Sequence, residues 1–236
     1  MKLSLLTALN AERAARRAAI VVTEVESGEQ RLVKAGEIAK DPLRAALAEH
    51  LRSGKSGIEE TPQGRAFLTV YVPAAQLVVI GAVHISQALA PIGKLLGYDV
   101  TIVDPRTAFA TPERFPDVKV IAEWPDVALP PLNVDRYTAF VALTHDPKID
   151  DPALTHALKR DCFYIGALGS RKTHARRIER LKQQGLTDAD LSRIHAPIGL
   201  DIGAVSPAEI AVAIMAQITE KLREEADAEP AIKAAS

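Results

Sequence analysis

The stretch Leu77-Val78-Val79-Ile80-Gly81-Ala82-Val83-His84, with Val100-Thr101-Ile102-Val103-Asp104 after it, decides the fold. Each stretch begins with a short, mostly β-branched apolar run, which is typical of a buried strand. Between the two runs, apolar residues recur at helical spacing over residues 84–96, and Gly97 ends the helix. Strand, turn, helix and strand of this length make one βαβ unit, so the pattern predicts a parallel sheet with crossover helices.

The same alternation continues toward the C-terminus. It predicts further strands at 118–121, 139–143 and 162–165, and helices that begin at Asp151-Pro152 and at Ser170. Thr187-x-x-Asp190 and Ser206-Pro207-x-Glu209 are capping-box sequences for two more helices. Residues 75–223 are therefore predicted to form a Rossmann-like α/β domain.

The first 74 residues differ in pattern and predict a small α+β subdomain. A helical segment at 4–17 precedes the β-branched run Ile20-Val21-Val22-Thr23, and residues 64–73 alternate as a strand does. Asp41-Pro42 predicts the start of a second helix. At the other end, residues 224–236 are rich in Ala, Glu and Lys and predict a flexible tail.

Composition excludes several classes of protein. The chain has 236 residues and a net charge of −1, which gives no electrostatic reason to expect nucleic acid as a partner. Its single cysteine, Cys162, excludes an intrachain disulfide and a thiolate zinc site, and points to the reducing cytoplasm. Charges near the N-terminus argue against a signal peptide, and polar residues and prolines interrupt the uncharged run at 66–93, so no membrane span is predicted.

The turn after the first strand of the βαβ unit is the first candidate site. Gly81 lies where a dinucleotide-binding fold places G-x-G-x-x-G, and Asp104 lies where the ribose-binding acid belongs. However, Val83 replaces the glycine that lets the backbone approach a pyrophosphate, and Ser86 replaces the third small residue. Ordinary NAD(P) binding is therefore not expected here, and Asp104 could equally be a turn cap.

A second candidate site is the loop that contains Gly166 and Gly169 and leads into a helix at Ser170. Arg171 and Lys172 fall in the first turn of that helix, where the macrodipole disfavours cations. An anion is therefore expected nearby, bound by these two cations, the Ser170 hydroxyl and the loop N–H groups. A solvated helix face without a ligand is the alternative, and it is favoured for Arg176, Arg177 and Arg180.

Two further groups of polar residues are expected at the carboxyl edge of the sheet. His145 and Asp146 follow one strand, and His84 follows another; they could be metal ligands, acid–base groups or structural residues. Asp201 lies between Gly199 and Gly203 in an apolar loop that could approach a ligand, although a turn-capping aspartate would look the same.

These segments, in this order, resemble the C-terminal Rossmann domain of the XdhC/CoxI family, whose members assist maturation of molybdenum hydroxylases such as xanthine dehydrogenase. The resemblance covers residues 76–221, and its most specific parts are Phe163-Tyr164-Ile165-Gly166-Ala167-Leu168-Gly169-Ser170-Arg171 and Ala196-Pro197-Ile198-Gly199-Leu200-Asp201-Ile202-Gly203. The family turn usually reads G-A-G-H, whereas this chain has Gly81-Ala82-Val83-His84. Residues 1–74 also lack the glycine-rich, cysteine-containing motif of longer members.

The resemblance implies a cofactor-binding chaperone rather than an enzyme. It implies binding of molybdenum cofactor, as molybdopterin or its dinucleotide form, help with its sulfuration, and insertion into a molybdenum hydroxylase apoenzyme. A cysteine desulfurase is a further implied partner, and a homodimer stays open. The residues expected to bind the cofactor are Gly81, His84, Asp104, His145, Asp146, Gly166, Gly169, Ser170, Arg171, Lys172, Gly199 and Asp201.

Two other functions remain compatible with the residues alone. An NAD(P)-linked oxidoreductase is supported by the βαβ unit and Asp104 but opposed by Val83. A non-catalytic nucleotide-sensing module would use the same fold without chemistry. Fold analogy cannot choose among these functions.

Overall fold

The computed structural model describes residues 2–62 and 64–228. They divide into two compact units, one of Ala74–Arg223 and one of the described residues up to Pro73 with those from Glu224 onward. The predicted tail lies partly outside the described residues: the last helix continues to Ala228, and residues 229–236 are not described.

The N-terminal unit is a four-stranded antiparallel sheet with one helix packed on each face. Its strands pair in the order β2-β1-β4-β3. Leu9 of the first helix packs on Val21, whereas Leu47 of the second packs with Ile20 and Leu68 on the opposite face. The elements are α1 (Leu3–Ala14), β1 (Ala19–Glu24), β2 (Gln30–Lys34), α2 (Arg44–Ser53), β3 (Gly57–Thr61) and β4 (Gly64–Tyr71).

The predicted start of α2 at Asp41-Pro42 is wrong, because the helix begins at Arg44. Asp41 instead accepts a hydrogen bond from the Leu43 N–H at 2.9 Å and forms an ion pair with Arg31 of β2. The sequence pattern also did not reveal β2 and β3, whose residues are mostly polar or half-exposed.

Glu12 of α1 makes the stability of this unit depend on pH. Arg17 donates to Glu12 at 2.6 and 3.1 Å, and Lys34 Nζ lies 3.2 Å from it. The hydrogen bond from Arg17, with help from Lys34, lowers the pKa of Glu12 from 4.5 to about 2. A lowered carboxyl pKa stabilises the fold above the unfolded value and loses that effect as the pH falls toward the folded value.

We therefore expect this contribution to be intact above about pH 4.5 and to disappear progressively toward pH 2. Hydrogen exchange of the β1 and β2 amides between pH 6 and pH 3 measures it. Glu12→Gln should expose these amides more at pH 6 than wild type and should flatten the pH dependence. An equal pH dependence in both proteins would contradict the assignment to Glu12.

The second unit is a six-stranded parallel sheet with helices on both faces, which confirms the predicted α/β Rossmann-like fold. The strands pair in the order β10-β9-β8-β5-β6-β7. The elements are β5 (Gln76–Ile80), α3 (His84–Leu95), β6 (Asp99–Val103), β7 (Lys119–Ile121), α4 (Pro125–Ala128), β8 (Thr138–Ala142), α5 (Pro147–Leu158), β9 (Tyr164–Ala167), α6 (Arg171–Gln183), α7 (Asp188–Leu191), β10 (Ile194–His195) and α8 (Pro207–Ala228).

Burial on both faces explains why β5 is a continuous apolar run. Leu77 and Val79 pack into a core cluster with residues of α3 and α8, and Val78 and Ile80 pack into a second cluster with residues of α5 and α6. All four side chains are at most 2% exposed. A strand in the middle of a doubly covered parallel sheet has no polar face, so its pattern does not alternate.

The predicted start of α5 at Asp151-Pro152 is wrong, because the helix begins four residues earlier at Pro147. Asp146 caps it by accepting a hydrogen bond from the Lys148 N–H at 2.9 Å, and Pro147 occupies the first helical position. Asp151 and Pro152 lie in the second turn. The sequence has two Asp-Pro pairs close together here, and each could start a helix. The helix begins at the earlier pair, which keeps its buried face against the sheet.

The strand order has a switch point between β5 and β8. The chain passes from β5 to β6 and β7 on one side, and then returns to β8, β9 and β10 on the other side. In open parallel sheets, ligands bind outside the carboxyl ends of the strands at such a switch point. Among the residues that the structure describes, no helix has the length and apolar character to cross a bilayer.

Candidate functional site

The turn after β5 is tightly built and leaves no room for a side chain at Gly81. Gly81 has a φ of +115°, and a Cβ atom there would lie 2.8 Å from Thr144 Cγ2. The buried Ser86 hydroxyl donates to the Gly81 carbonyl at 2.5 Å, which accounts for a serine at the third position of the fingerprint. Val83 is the N-cap residue of α3 and packs partly against the core, while His84 is exposed.

Asp104 is completely buried, and both of its carboxylate oxygens already have donors. Oδ2 accepts from the Ala82 N–H at 2.7 Å, and Oδ1 accepts from the Arg106 N–H at 2.9 Å. The Arg106 guanidinium adds two more hydrogen bonds, at 2.9 and 2.7 Å. Burial opposes the charge, but these donors together hold the pKa of Asp104 below its usual value. Asp104 therefore connects the β5 turn to the end of β6 through hydrogen bonds. The guanidinium of Arg106 carries a positive charge on the surface side of Asp104.

The switch point brings the β5 turn against the turn after β8. Gly81 touches Thr144, and the Leu143 N–H donates to the Ile80 carbonyl at 2.9 Å. Arg106 lies close enough to Asp146 and Asp150 for both carboxylates to raise its pKa, after the larger effect of Asp104. The crevice is thus bordered by a cation from the β6 side and carboxylates from the β8 side.

The turn that carries His145 is held by a buried carboxylate. His145 has a φ of +63°, in the left-handed region, and its side chain is exposed. Asp150 accepts from the His145 N–H at 3.0 Å, from the Thr144 N–H at 3.3 Å and from the Thr144 hydroxyl at 2.6 Å. These three bonds fix the backbone that presents His145 and Asp146 at the sheet edge.

Asp150 also faces Arg177 of α6, and this pair is almost fully buried. The side chains of Arg177 and Asp150 are 2% and 1% exposed, and Arg177 Nη2 lies 3.8 Å from Asp150 Oδ2. Burial raises the pKa of Asp150 despite the hydrogen bonds and the charge of Arg177, and burial lowers the pKa of Arg177. Arg177 Nη2 donates to the Leu168 carbonyl at 2.9 Å, so the pair links the β8 and β9 loops.

The loop after β9 starts α6 as predicted. Ser170 is the N-cap residue, and its hydroxyl accepts from the Thr173 N–H at 3.2 Å. Gly169 has a φ of +137°, and a Cβ atom there would approach Thr173 to 3.1 Å. Arg171 and Lys172 are exposed in the first helical turn, and among the described residues neither side chain has a hydrogen-bonding or ionic partner.

The loop after β10 packs on β9 and α8. A Cβ atom on Gly166 would lie 2.6 Å from Ile198, and one on Gly199, whose φ is +90°, would lie 3.1 Å from Ala213, so packing and backbone conformation account for these two glycines without a ligand. The Gln217 side-chain oxygen accepts from the Tyr164 hydroxyl at 2.6 Å and from the Gly199 N–H at 2.9 Å. Two residues further on, Asp201 is exposed.

The predicted site residues therefore share one edge but not one set of contacts. Gly81, Asp104 and the His145–Asp146 turn meet at the switch point, whereas Gly166 and Gly199 belong to the loops after β9 and β10. Three strand spacings of ~4.8 Å, about 14 Å, separate β10 from β5, so Asp201 and His84 flank the crevice rather than touch. The proposed role of each in cofactor binding stays a prediction.

Sequence reasoning missed Asp150 and Arg106, and it favoured a solvated face for Arg177. Asp150 lies beside the Asp151-Pro152 pair that suggests a helix start, so the pattern places it before the helix rather than in it. Arg177 is one of several arginines on α6, and only its position on the inward face of that helix distinguishes it. A carboxylate in the first turn of the helix that follows a strand is the signal that could have revealed Asp150.

The single cysteine lies just before β9, at the opposite edge of the sheet. Cys162 is buried, and burial raises the pKa of its thiol to about 12. Within residues 2–62 and 64–228, no three His, Cys, Asp or Glu side chains form a group that could hold a metal ion.

Comparison with known proteins matches residues 77–218 to the family model described as the XdhC Rossmann domain. Three curated relatives share about 155 residues with the chain. In Escherichia coli strain K12 they are YqeB, named an uncharacterized protein, at 31% identity over 65% of this chain, and PaoD, named a molybdenum cofactor insertion chaperone, at 28% over 66%. In Bacillus subtilis strain 168, a protein named as a probable xanthine dehydrogenase subunit is 30% identical over 65% of this chain.

The matched part spans less than half of each relative: 28% of YqeB, 43% of PaoD and 45% of the Bacillus subtilis protein. A solved chain from Bacillus halodurans, whose structure is described as that of a xanthine dehydrogenase, superposes with a TM-score of 0.65 at 23% identity. That alignment covers 96% of this chain and 67% of the other, and it supports the fold.

Proposed function

Because this chain belongs to the XdhC family, we propose that it is a maturation protein that binds molybdenum cofactor and assists its insertion into a xanthine dehydrogenase-type apoenzyme. One observation carries the proposal: the family match over residues 77–218 includes all six strands of the parallel sheet except Gln76, and every predicted site residue from Gly81 to Asp201. The relative named a molybdenum cofactor insertion chaperone gives it further support.

The carboxyl edge of the sheet is the proposed cofactor site. The cofactor is an anionic pterin, and the exposed cations Arg171 and Lys172 have no partner among the described residues. They would contact its anionic group, while the β5 turn and the His145–Asp146 turn would border the pterin. The proposal covers both molybdopterin and its dinucleotide form.

Sulfuration would need a second protein. A cysteine carries sulfur as a persulfide only when its thiolate is accessible. Cys162 is the single cysteine, it is 6% exposed, and its raised pKa keeps the thiol protonated. We therefore assign sulfur transfer to a partner of the cysteine desulfurase class, and we place the protein, with its free thiol, in the cytoplasm.

Reconstitution tests the proposed function directly. The purified chain, incubated with molybdenum cofactor, should retain molybdenum and pterin in equal amounts after gel filtration. The loaded protein should then activate a cofactor-free xanthine dehydrogenase-type enzyme faster than free cofactor does. Gel filtration of the same sample also reports whether the chain is a homodimer. Failure to retain pterin would reject the cofactor-binding role.

We expect Arg171→Ala with Lys172→Ala to weaken cofactor binding by several kcal/mol, given ~1.5–3 kcal/mol for each hydrogen bond to a charged group. Pterin fluorescence titration measures the affinity. The fold should be unaffected, since removing cations from a helix N-terminus relieves an unfavourable dipole interaction.

The matched control is Lys159→Ala with Arg160→Ala. These two neighbouring exposed cations precede β9 and therefore lie at the opposite edge of the sheet. The control should bind cofactor as wild type does. Equal affinities for all three proteins would place the anion elsewhere.

The rival function, an NAD(P)-linked oxidoreductase, makes a different prediction. Asp104, the carboxylate that would bind a ribose, already accepts hydrogen bonds on both of its oxygens. Val83 also brings a branched Cβ to the turn. Calorimetric titration with NAD and NADP should therefore show no binding tighter than about 1 mM, near −4 kcal/mol. Micromolar affinity would favour the oxidoreductase, or a nucleotide-sensing module if no hydride transfer accompanies binding.

A further inference from the structure

A small cleft lies between the start of α5 and the first three turns of α6. Its volume is about 180 Å³, above the 10–15 Å³ that one ordered water requires. It lies beside the switch-point crevice and shares only His145 with the predicted site residues. The lining residues are His145, Pro147, Asp150, Thr173, Arg176, Arg177 and Arg180.

Arg177 is the unusual member of this lining. The residue is 2% exposed, and within the described part of the chain its one hydrogen bond runs from Nη2 to the Leu168 carbonyl. Its Nε and Nη1 atoms are buried and have no hydrogen-bond partner among the described residues. Buried donors on a charged group are almost always satisfied, because leaving them unpaired costs free energy. Nε and Nη1 of Arg177 are therefore two donors for which a bound ligand would supply the acceptor.

The charge around the cleft favours an anion as that acceptor. Three guanidinium groups line it, and Arg180 is neutralised by Asp151, which accepts from it at 2.5 and 3.0 Å. Asp150 is the one carboxylate in the lining, and it faces Arg177 Nη2 rather than Nε or Nη1. The two positive charges of Arg177 and the exposed Arg176 thus exceed the single negative charge of Asp150. His145 adds a further hydrogen-bond donor at the rim.

We propose that this cleft binds a tetrahedral oxyanion of the phosphate class through Nε and Nη1 of Arg177 and the guanidinium of Arg176. Adjacent guanidinium donors match two oxygens of a phosphate, which makes arginine suited to such groups. The shared chemistry is a phosphate dianion, either free or as the end of a phosphate monoester. Arg176 and Arg177 are not among the residues of the proposed cofactor site, and Lys172 of that site lies one helical turn before Arg176. The phosphate site does not depend on the proposed function.

Inorganic phosphate is the probe. The thermal midpoint of the sheet domain, followed by fluorescence of Trp124, the single tryptophan, should rise saturably with phosphate at constant ionic strength but not with chloride. Arg177→Met should abolish the rise. Arg176→Gln, at an exposed position that leaves the core intact, should weaken phosphate binding at least fivefold and keeps the test decisive if Arg177→Met does not fold. Arg160→Gln, the same change at an exposed arginine at the opposite sheet edge, should bind phosphate as wild type does.

Phosphorus NMR with glycerol 3-phosphate and adenosine monophosphate distinguishes the sources. Binding of these esters through Arg176 would identify the cleft as the site for the phosphate end of a larger ligand. Binding of inorganic phosphate alone would identify a free-phosphate site, which also supports the proposal. No phosphate effect on wild type, or the same effect in wild type and Arg176→Gln, would overturn it. None of these readouts uses molybdenum cofactor, so their failure is distinguishable from failure of the proposed function.

Discussion

Asp150→Ala is expected to lower the free energy of unfolding of the sheet domain by about 3–5 kcal/mol, the usual cost of removing one partner of a buried ion pair. Arg177 would remain 2% exposed, and the remaining carboxylate near it, Asp151, already accepts hydrogen bonds from Arg180. The Thr144 and His145 N–H groups would also lose their acceptor. Urea unfolding followed by fluorescence of Trp124 measures the change within this unit.

The neighbouring residue provides the matched control. Asp151 is also buried, but its partner Arg180 has a side chain that is 36% exposed and can turn to water. Asp151→Ala should therefore cost less than about 1 kcal/mol. Asp150→Ala combined with Arg177→Met should recover part of the lost stability, because it removes the isolated charge. A loss below about 1 kcal/mol in Asp150→Ala alone would show that the pair does not hold the β8 turn.

His145→Asn and Asp201→Ala are each expected to abolish activation of a molybdenum hydroxylase apoenzyme while leaving the fold intact. Both side chains are exposed at the carboxyl edge of the sheet, where they add little to the core. Asparagine is chosen at position 145 because His145 has a φ of +63°, and asparagine tolerates the left-handed region. The thermal midpoint should stay within a few degrees of wild type.

The activation assay needs controls of the same kind at the other edge. Asp161 is exposed just before β9, and His156 lies near the end of α5, so both are far from the carboxyl ends of the strands. Asp161→Ala and His156→Ala should activate the apoenzyme normally. Unfolding of His145→Asn or Asp201→Ala would instead assign those residues a structural role. Full activation by either variant would remove that residue from the proposed site.

The elements that the sequence predicted well are those whose apolar pattern reflects burial on the sheet. β5, α3 and β6 were recognised because their residues are buried by local neighbours in any parallel α/β arrangement. Ser170 and Ser206 were recognised as helix starts because capping depends on residues three positions away. The edge strands β2 and β3 were missed because half-exposed polar strands carry no such pattern.

The site was predictable in position but not in its contacts. Parallel topology places the ends of β5, β8, β9 and β10 at one edge, and the sequence alone is enough to infer that edge. Which loops meet there depends on strand order: β8 pairs with β5, while β10 lies three strands away. Strand order is set by long-range packing, which leaves no local mark in the sequence.

Residue types and short-range spacing determined by themselves that this chain has a parallel sheet, a turn at Gly81 that departs from the dinucleotide fingerprint, and cations at the start of α6. Only the tertiary structure decided that Asp104 is a buried carboxylate hydrogen-bonded to Ala82 and Arg106, and that Asp150 faces Arg177 rather than solvent. The physical reason is that the role of a charged side chain depends on burial and on partners that come from other elements. Ala82 and Asp104, for example, are 22 positions apart in the sequence and become neighbours only when the strands pair.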